Sequence, residues 1–288
     1  MAKPTQKVEL LQRLMDEAWF TEAGEAFPWA LAGKILVNDT PVTSLRQKVP
    51  VDGAIRIKEY YKRRYVNKGG LKLEAALAAF GVQVDGRVAL DCGASTGGFT
   101  DCLVQHGAAR VYAVDAGHGQ LAGSLQGNER VVNLERTNLS SPALLALSPR
   151  PTLLTLDLSY LSLTKAVPVG FAILHGQGQI VALIKPIFET ASAEARRTGE
   201  INDPDLLAET LRMLCRTLTA QGAAVLGLTH SPVRGNGGAV EFFAHLRPRA
   251  DGGPAERGPG WYETDIPDLV ERALRVGQFQ KNRYADKA

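Results

Sequence analysis

The apolar residues of the chain fall into short continuous runs, separated by segments with helical spacing. Runs without polar alternation are typical of strands that are buried on both faces of a sheet. They occupy 88–90, 111–114, 153–156, 180–184, 223–229 and 240–246. Because helical segments such as 204–218 fit between them, the pattern predicts an α/β fold with helices on both faces of one sheet.

The first 60 residues follow a different pattern. Apolar residues recur at helical spacing over 8–15 and again over 27–31. Two strand–turn–strand segments come next, at 34–42 and 48–57. We therefore predict a compact α+β module over residues 1–60, ahead of the α/β domain.

A basic segment, residues 56–72, joins these two parts. It also contains three tyrosines, Tyr60, Tyr61 and Tyr65. Its candidate RNA-binding residues are Arg56, Lys58, Lys62, Arg63, Arg64 and Lys68. Cations beside aromatic rings suit phosphates and unstacked bases. The alternative is an ordinary solvated face. The predicted divisions after the first module are a linker at 61–72, a main domain at 73–250, and a flexible excursion, closing helix and polar tail at 251–288.

Composition narrows the class of protein. Of 288 residues, 45% are hydrophobic and 22% are charged, which is ordinary for a globular protein, and a net charge of +3 confines nucleic-acid affinity to a local patch. Three scattered cysteines suit neither a disulfide framework nor a zinc site, so we expect no metal and a reducing, cytoplasmic location. Residues 1–5 are not followed by an apolar signal core, and no apolar stretch reaches membrane-span length, so we expect no membrane partner.

The candidate chemistry begins where the run at 88–90 ends. Asp91 marks the end of this predicted strand, and Thr96 or Thr100 is expected to cap the helix that follows. Between them lies a loop in which the backbone can approach a ligand closely, and its glycines are Gly93, Gly97 and Gly98. Their spacing matches neither a Walker A loop nor the dinucleotide pattern G-x-G-x-x-G.

Acids at the strand ends indicate the charge of the ligand. The second run ends in Asp115, so two neighbouring strands each carry a carboxylate where ligands of open α/β sheets bind. Carboxylates repel a pyrophosphate but suit the ammonium, sulfonium and ribose hydroxyls of S-adenosylmethionine. The alternative is a glycine-rich turn in another Rossmann-like protein.

Four further ionisable residues are expected near the same cleft. Asp157 and Lys185 directly follow two predicted strands. Glu241 lies near the start of the last strand, and Lys72 lies in the first turn of a predicted helix. Two cations and two anions neutralise one another when they are buried together. A neighbouring positive charge favours the neutral form of a lysine amine, which can act as a general base toward a hydroxyl. Ordinary salt bridges are the alternative.

Several blocks of sequence match one known family. They are 68–73, 91–103, 111–115, 119–122, 134–138, 157–160, 185–186 and 235–241. On these blocks the chain resembles the TlyA family of FtsJ-type RNA methyltransferases, from about residue 30 to 246. Within the first module, residues 31–38 and 49–55 resemble the RNA-binding domain of the ribosomal-protein-S4 type.

The resemblance implies a Rossmann-like methyltransferase sheet preceded by a small S4-type domain. It implies S-adenosylmethionine-dependent 2′-O-methylation of ribose, in cytidine of 16S or 23S ribosomal RNA, with ribosomal RNA or ribosomal subunits as partners. The implied catalytic tetrad is Lys72, Asp157, Lys185 and Glu241, in which Lys185 acts as the base or orients the hydroxyl. The implied methyl-donor contacts are Asp91, Gly93, Ser95, Thr96, Gly97, Gly98, Phe99, Asp115, Asn138 and Asp157. Asp115 is expected at the donor ribose and Asn138 near its adenine.

Two other functions stay open at this stage. The family also bears the name haemolysin, which indicates a membrane-active protein; liposome leakage by the purified protein would favour it. The sequence contains no strongly amphipathic cationic helix of the kind such proteins use. The third hypothesis is a catalytically inactive RNA-binding protein, against which the four ionisable residues argue. The sequence favours no particular oligomeric state.

Overall fold

The computed structural model describes residues 7–17, 19–20, 23–57, 65–159, 161–201, 203–235, 238–249 and 260–276. The chain divides into two compact units, Met1–Val66 and Asn67–Ala288. Residues 58–64 of the predicted basic segment lie outside the described residues, as do Tyr160, residues 251–259 of the predicted flexible excursion and residues 277–288 of the predicted tail.

The first unit combines helices and short strands, as the pattern of its apolar residues predicts. Its elements are β1 (Lys7–Glu9), α1 (Leu10–Asp16), α2 (Ala23–Leu31), β2 (Ile35–Val37), β3 (Thr40–Pro41), β4 (Lys48–Pro50) and β5 (Ile55–Ile57). Strand β1 pairs with β4, and β2 pairs with β3 and β5, all antiparallel. The prediction of a helix from residue 8 was wrong at its start, because Val8 pairs with Val49 in a strand and the helix begins at Leu10.

The second unit alternates strands and helices around one sheet. Its strands are β6 (Val88–Cys92), β7 (Arg110–Val114), β8 (Val131–Leu134), β9 (Leu153–Leu156), β10 (Gln179–Ile184), β11 (Ala223–His230) and β12 (Phe242–Pro248). Its helices are α3 (Gly69–Phe80), α4 (Gly98–Gln105), α5 (Gly123–Gln126), α6 (Leu163–Ile173), α7 (Pro186–Glu189), α8 (Ala193–Thr198), α9 (Pro204–Ala220) and α10 (Tyr262–Arg275), with a 3-10 turn at Pro142–Ala146. These elements confirm the predicted α/β class.

The sheet brings the important strand ends to one edge. Its order is β11-β12-β10-β9-β6-β7-β8. Strands β10, β9, β6, β7 and β8 pair in parallel, whereas β12 is antiparallel to both of its neighbours. Because the carboxyl ends of neighbouring parallel strands meet at the same edge, residues after β9 and β10 become neighbours although they are far apart in sequence.

Apolar side chains cover both faces of the sheet. Leu90 and Cys92 belong to a core that also contains residues of α6, α9 and α10. Successive strand residues point to opposite faces, and Asp91, which lies between them, is hydrogen-bonded to Thr100 of α4. Helix α4 therefore covers the other face. Burial of each fully buried leucine in this core, such as Leu154, contributes about 1.5–3 kcal/mol to the stability of the folded state.

One strand and two boundaries of the second unit differ from the sequence prediction described above. Strand β8 was not predicted, since it is a partly exposed edge strand without a continuous apolar run. Helix α3 begins at Gly69, inside the predicted linker. Strand β12 begins at Phe242, so that Glu241 precedes the strand instead of lying within it. Helix α10 spans Tyr262–Arg275, where the pattern predicts a closing helix.

Candidate active site

The ends of β9 and β10 carry an ion pair. Asp157 directly follows β9 and Lys185 directly follows β10, and these strands are parallel neighbours. Lys185 Nζ lies 2.6 Å from Asp157 Oδ1 in this ion pair and donates a hydrogen bond of 3.3 Å to Ser159 Oγ. Two contacts fix the direction of the amine, and it remains partly accessible.

A second ion pair is buried. Lys72, in the first turn of α3, donates to the carboxylate of Glu241, just before β12. Only 7% of the Lys72 side chain and 5% of the Glu241 side chain are exposed. Removing either partner would leave a buried charge without compensation, so each residue requires the other. The sequence position of Lys72, at a helix start where the dipole disfavours a cation, is thus explained by a specific partner.

Both pairs line one cavity of about 680 Å³. Gly93, Ser95, Gly98 and Phe99 of the predicted glycine loop line it as well. The cavity has the size of sites that bind small molecules or cofactors. The structure therefore brings the four predicted ionisable residues together beside the predicted loop.

The glycine loop depends on the absence of a side chain at Gly93. A Cβ atom there would lie 2.2 Å from the carbonyl oxygen of Asp157, and the residue has a φ of +87°. Asp115 fixes the loop from the next strand, because its carboxylate accepts the N–H of Ser95 at 2.8 Å. The loop backbone thus packs directly against the backbone of Asp157.

The sequence profile of the FtsJ-like methyltransferase family matches residues 65–248, which include the loop and both ion pairs. The chain belongs to the FtsJ-like methyltransferase family. This match confirms the predicted family and the methyltransferase sheet.

Similar proteins fall under two names. The chain is 37% identical to the 16S/23S rRNA (cytidine-2'-O)-methyltransferase TlyA of Mycobacterium tuberculosis, over 85% of this chain and 89% of the relative. It is 38% identical to Hemolysin A of Brachyspira hyodysenteriae, over 75% of this chain and 90% of the relative. A solved structure from Streptococcus thermophilus, described as a candidate hemolysin, is 32% identical with a TM-score of 0.69, over 97% of this chain and 99% of that one.

Not every residue of this methyltransferase domain that is predicted to contact the methyl donor lines the cavity. Asp91 is fully buried, and its carboxylate accepts hydrogen bonds from Thr100 Oγ1 at 2.7 Å and Thr155 Oγ1 at 2.9 Å. Burial raises the pKa of Asp91 to about 6. Asp91 is therefore behind the loop, and a direct contact with the methyl donor stays a prediction. The predicted helix cap was wrong: Gly97 is the N-cap of α4, and Thr100 binds Asp91 instead.

The cavity lining also lacks both predicted adenosine contacts, Asp115 and Asn138, and two other predicted contacts of the methyl donor, Thr96 and Gly97. Asn138 is exposed, and its Oδ1 accepts the N–H and hydroxyl of Ser140 at 3.1 and 2.7 Å. Thr96 Oγ1 accepts a hydrogen bond from Asn67, and Gly97 is buried against Leu121 and Leu125. Their contacts with the donor stay predictions.

The predicted RNA-binding residues are only partly described. Lys58, Lys62, Arg63 and Arg64 lie outside the described residues. Arg56 is exposed and pairs with Asp39 at 2.7 Å within the first unit. Lys68 lines the cavity and donates to the carbonyl of Arg234 at 3.2 Å. Lys68 thus contacts the same cleft as the two ion pairs.

The sequence analysis missed several polar residues of the cavity, two of which bind other parts of the site. Asn67 accepts the N–H of Gly69 at 2.6 Å and donates to Thr96 Oγ1 at 2.5 Å, so it links the start of α3 to the glycine loop. Its signal is its position two residues before a helix start, where asparagine binds the backbone. Ser159 binds Lys185, and its only sequence signal is its closeness to Asp157.

Within the described ranges, no group of three or more His, Cys, Asp and Glu side chains is arranged to hold a metal ion. The helices of the same ranges include none with the length and apolar composition needed to cross a membrane.

Replacing Gly93 with alanine is expected to lower the free energy of unfolding by about 1–3 kcal/mol, since a non-glycine residue at positive φ is strained and its Cβ would meet the Asp157 carbonyl. Urea unfolding measures this change. The matched control is Gly123→Ala, at the first residue of α5, where a Cβ meets nothing within 4 Å. The control is expected to be neutral or slightly stabilising. Equal stability of the two variants would contradict the assigned role of Gly93.

Proposed function

We propose that the protein transfers a methyl group from S-adenosylmethionine to the ribose 2′-hydroxyl of cytidine in ribosomal RNA. The observation that carries this proposal is the Lys185–Asp157 pair, which lines one cavity with the glycine loop of an FtsJ-like methyltransferase domain. A relative named as a 16S/23S rRNA (cytidine-2'-O)-methyltransferase supports ribosomal RNA, and cytidine within it, as the substrate.

The glycine loop fits the methyl donor. Gly93 lets the loop backbone pack closely against the carbonyl of Asp157, and Gly93 and Ser95 both line the cavity. In this proposal Gly93 and Ser95 hold the methionine end, while Asp115 holds the ribose hydroxyls and Asn138 lies near the adenine. When bound, S-adenosylmethionine supplies a methyl carbon activated by a sulfonium charge.

In this proposal Lys185 is the residue that contacts the substrate hydroxyl. Its side chain is 20% exposed, compared with 7% for Lys72, so Lys185 is the amine of the tetrad that a ribose can reach. Its Nζ orients the 2′-hydroxyl and, after the ammonium has released its own proton to solvent, takes the hydroxyl proton as the oxygen becomes a nucleophile. Asp157 keeps Nζ in position and stabilises the ammonium that forms. Alignment of the reacting atoms supplies most of the rate enhancement.

Lys72 and Glu241 complete the tetrad from another wall of the cavity. Their buried pair joins the start of α3 to the segment before β12, and these segments come from distant parts of the domain. Gly235 packs against the Glu241 carboxylate, where a Cβ would lie 2.3 Å from Oε1. The pair therefore sets the width of the cleft that a nucleotide enters.

The S4-like first unit and the basic segment recruit the RNA. The first unit has the α+β pattern expected of such a domain, and Arg56 is exposed on it. Lys68, the last of the predicted RNA-binding cations along the chain, lies at the proposed catalytic site itself. Phosphate contacts of this kind position the RNA and carry no sequence information.

The name hemolysin, borne by some relatives, is the second candidate function. The methyltransferase proposal is favoured because the cavity holds a reactive arrangement of lysines and carboxylates. That arrangement has no evident use in opening a membrane.

Ribosomal RNA from cells that lack the protein is expected to have lost ribose methylation at one or more cytidines. Resistance of a 2′-O-methylated linkage to alkaline cleavage maps these positions nucleotide by nucleotide. Restoring the parental gene is expected to restore them, whereas a Lys185→Ala gene is not. Identical methylation maps with and without the protein would contradict the proposed substrate.

A further inference from the structure

Glu189 occupies an unusual position next to the site. It is the last residue of α7, the single turn that directly follows Lys185. The N–H of Phe188 binds the carbonyl of Lys185 at 2.9 Å, so this turn is continuous with the catalytic lysine. Glu189 lies outside the cavity lining and is half-buried. Its carboxylate therefore serves something other than a ligand of this cavity.

The carboxylate of Glu189 binds the start of another helix. Oε2 accepts the hydroxyl of Ser162 at 2.6 Å, and Oε1 accepts the N–H of Leu163 at 2.9 Å. Ser162 is the N-cap of α6 and accepts the N–H of Thr164. Burial raises the pKa of Glu189, while both hydrogen bonds favour the charged form. A carboxylate at a helix start is stabilised by the helix dipole and by charge-assisted hydrogen bonds.

These contacts close a ring around the catalytic pair. The segment from Asp157 to Ser162 leaves β9, and Lys185 to Glu189 leaves β10. On the cavity side, Lys185 contacts Asp157 and Ser159. Away from the cavity lining, Glu189 contacts Ser162 and Leu163. The two segments are thus tied together at both ends.

We propose that Glu189 is a positioning residue, which holds Lys185 against Asp157 by clamping the segment after β10 to the segment after β9. The catalytic consequence rests on the proposed function, since it assumes that Lys185 handles the ribose hydroxyl. Without the clamp, the two segments lose their contacts at Ser162 and Leu163 and keep those of Lys185 with Asp157 and Ser159. A displacement of about 1 Å in a catalytic group can lower a rate by about a hundredfold.

The test compares Glu189→Ala with Glu189→Gln, and with Glu194→Ala as a matched control on the exposed surface of α8. Glu189→Ala is expected to lower kcat for methyl transfer about 10- to 100-fold, with little change in KM for RNA or in S-adenosylmethionine affinity. Glu189→Gln is expected to recover most of kcat, because its amide can still accept from Leu163 and donate to Ser162 Oγ. Glu194→Ala is expected to behave as the parent.

Hydrogen exchange measured by mass spectrometry gives a readout that is independent of catalysis. Glu189→Ala is expected to speed exchange in peptides covering 157–163 and 185–189, whereas Glu189→Gln and Glu194→Ala are not. If the parent fails to methylate ribosomal RNA but this local effect is seen, the clamp stands and the proposed function fails. Parental kcat, unchanged exchange, or a loss of donor affinity equal to the loss of kcat in Glu189→Ala would each overturn the clamp.

Discussion

Replacing Lys185 with alanine is expected to lower methyl transfer to ribosomal RNA by about 10²- to 10⁴-fold, the range typical for loss of a general base. Lys185 Nζ is held by Asp157 and Ser159 and is the more exposed of the two amines in the proposed tetrad. Binding of S-adenosylmethionine is expected to stay close to parental, because the glycine loop keeps its own hydrogen bonds. Initial rates with tritiated donor and calorimetric titration of the donor measure the two effects.

Two variants make this experiment specific. Lys165→Ala removes a lysine from the exposed surface of α6 and is expected to leave the rate unchanged. Lys185→Arg keeps the positive charge, but a guanidinium stays protonated and cannot accept the hydroxyl proton, so it is expected to remain impaired. Parental transfer by Lys185→Ala would show that the tetrad is wrongly assigned, and full activity of Lys185→Arg would limit the residue to an electrostatic role.

The sequence predicted the strand-end residues because buried parallel strands have a strong pattern. Continuous apolar runs located β9 and β10, and parallel neighbours present their carboxyl ends at one edge. Asp157 and Lys185 are therefore found together, at 2.6 Å. The same reasoning gives a different result for Asp91, because β6 continues to Cys92. Asp91 lies inside the strand, so the pleat turns its side chain toward α4.

The remaining polar contacts have no periodic signal in the sequence. Glu189 lies 26 residues from Leu163 and 27 from Ser162, and Asn67 lies 29 residues from Thr96. Such pairs form only when the sheet and its loops are in place, and single polar residues in loops carry no pattern that indicates a partner. Similarly, the sequence suggested that Lys72 and Glu241 share a cleft, but not that they form a buried pair of their own.

Breaking this buried pair from one side is expected to lower the free energy of unfolding by about 3–5 kcal/mol. Glu241→Gln keeps the shape of the side chain but leaves the ammonium of Lys72 buried without its counter-charge, with 7% of that side chain exposed. Urea unfolding measures the loss. The control is Asp268→Asn, which breaks an exposed pair with Arg272 on α10 and is expected to change stability by less than about 1 kcal/mol.

A double variant separates stability from catalysis at the same pair. Lys72→Met combined with Glu241→Leu replaces both charges by apolar side chains of similar volume, and such replacements are often neutral or stabilising by about 1–4 kcal/mol. Stability is therefore expected to return toward the parental value while methyl transfer stays low, because the cavity has lost half of the proposed tetrad. A stable double variant that methylates at the parental rate would reduce Lys72 and Glu241 to structural residues. A Glu241→Gln protein as stable as the parent would instead contradict the buried pair.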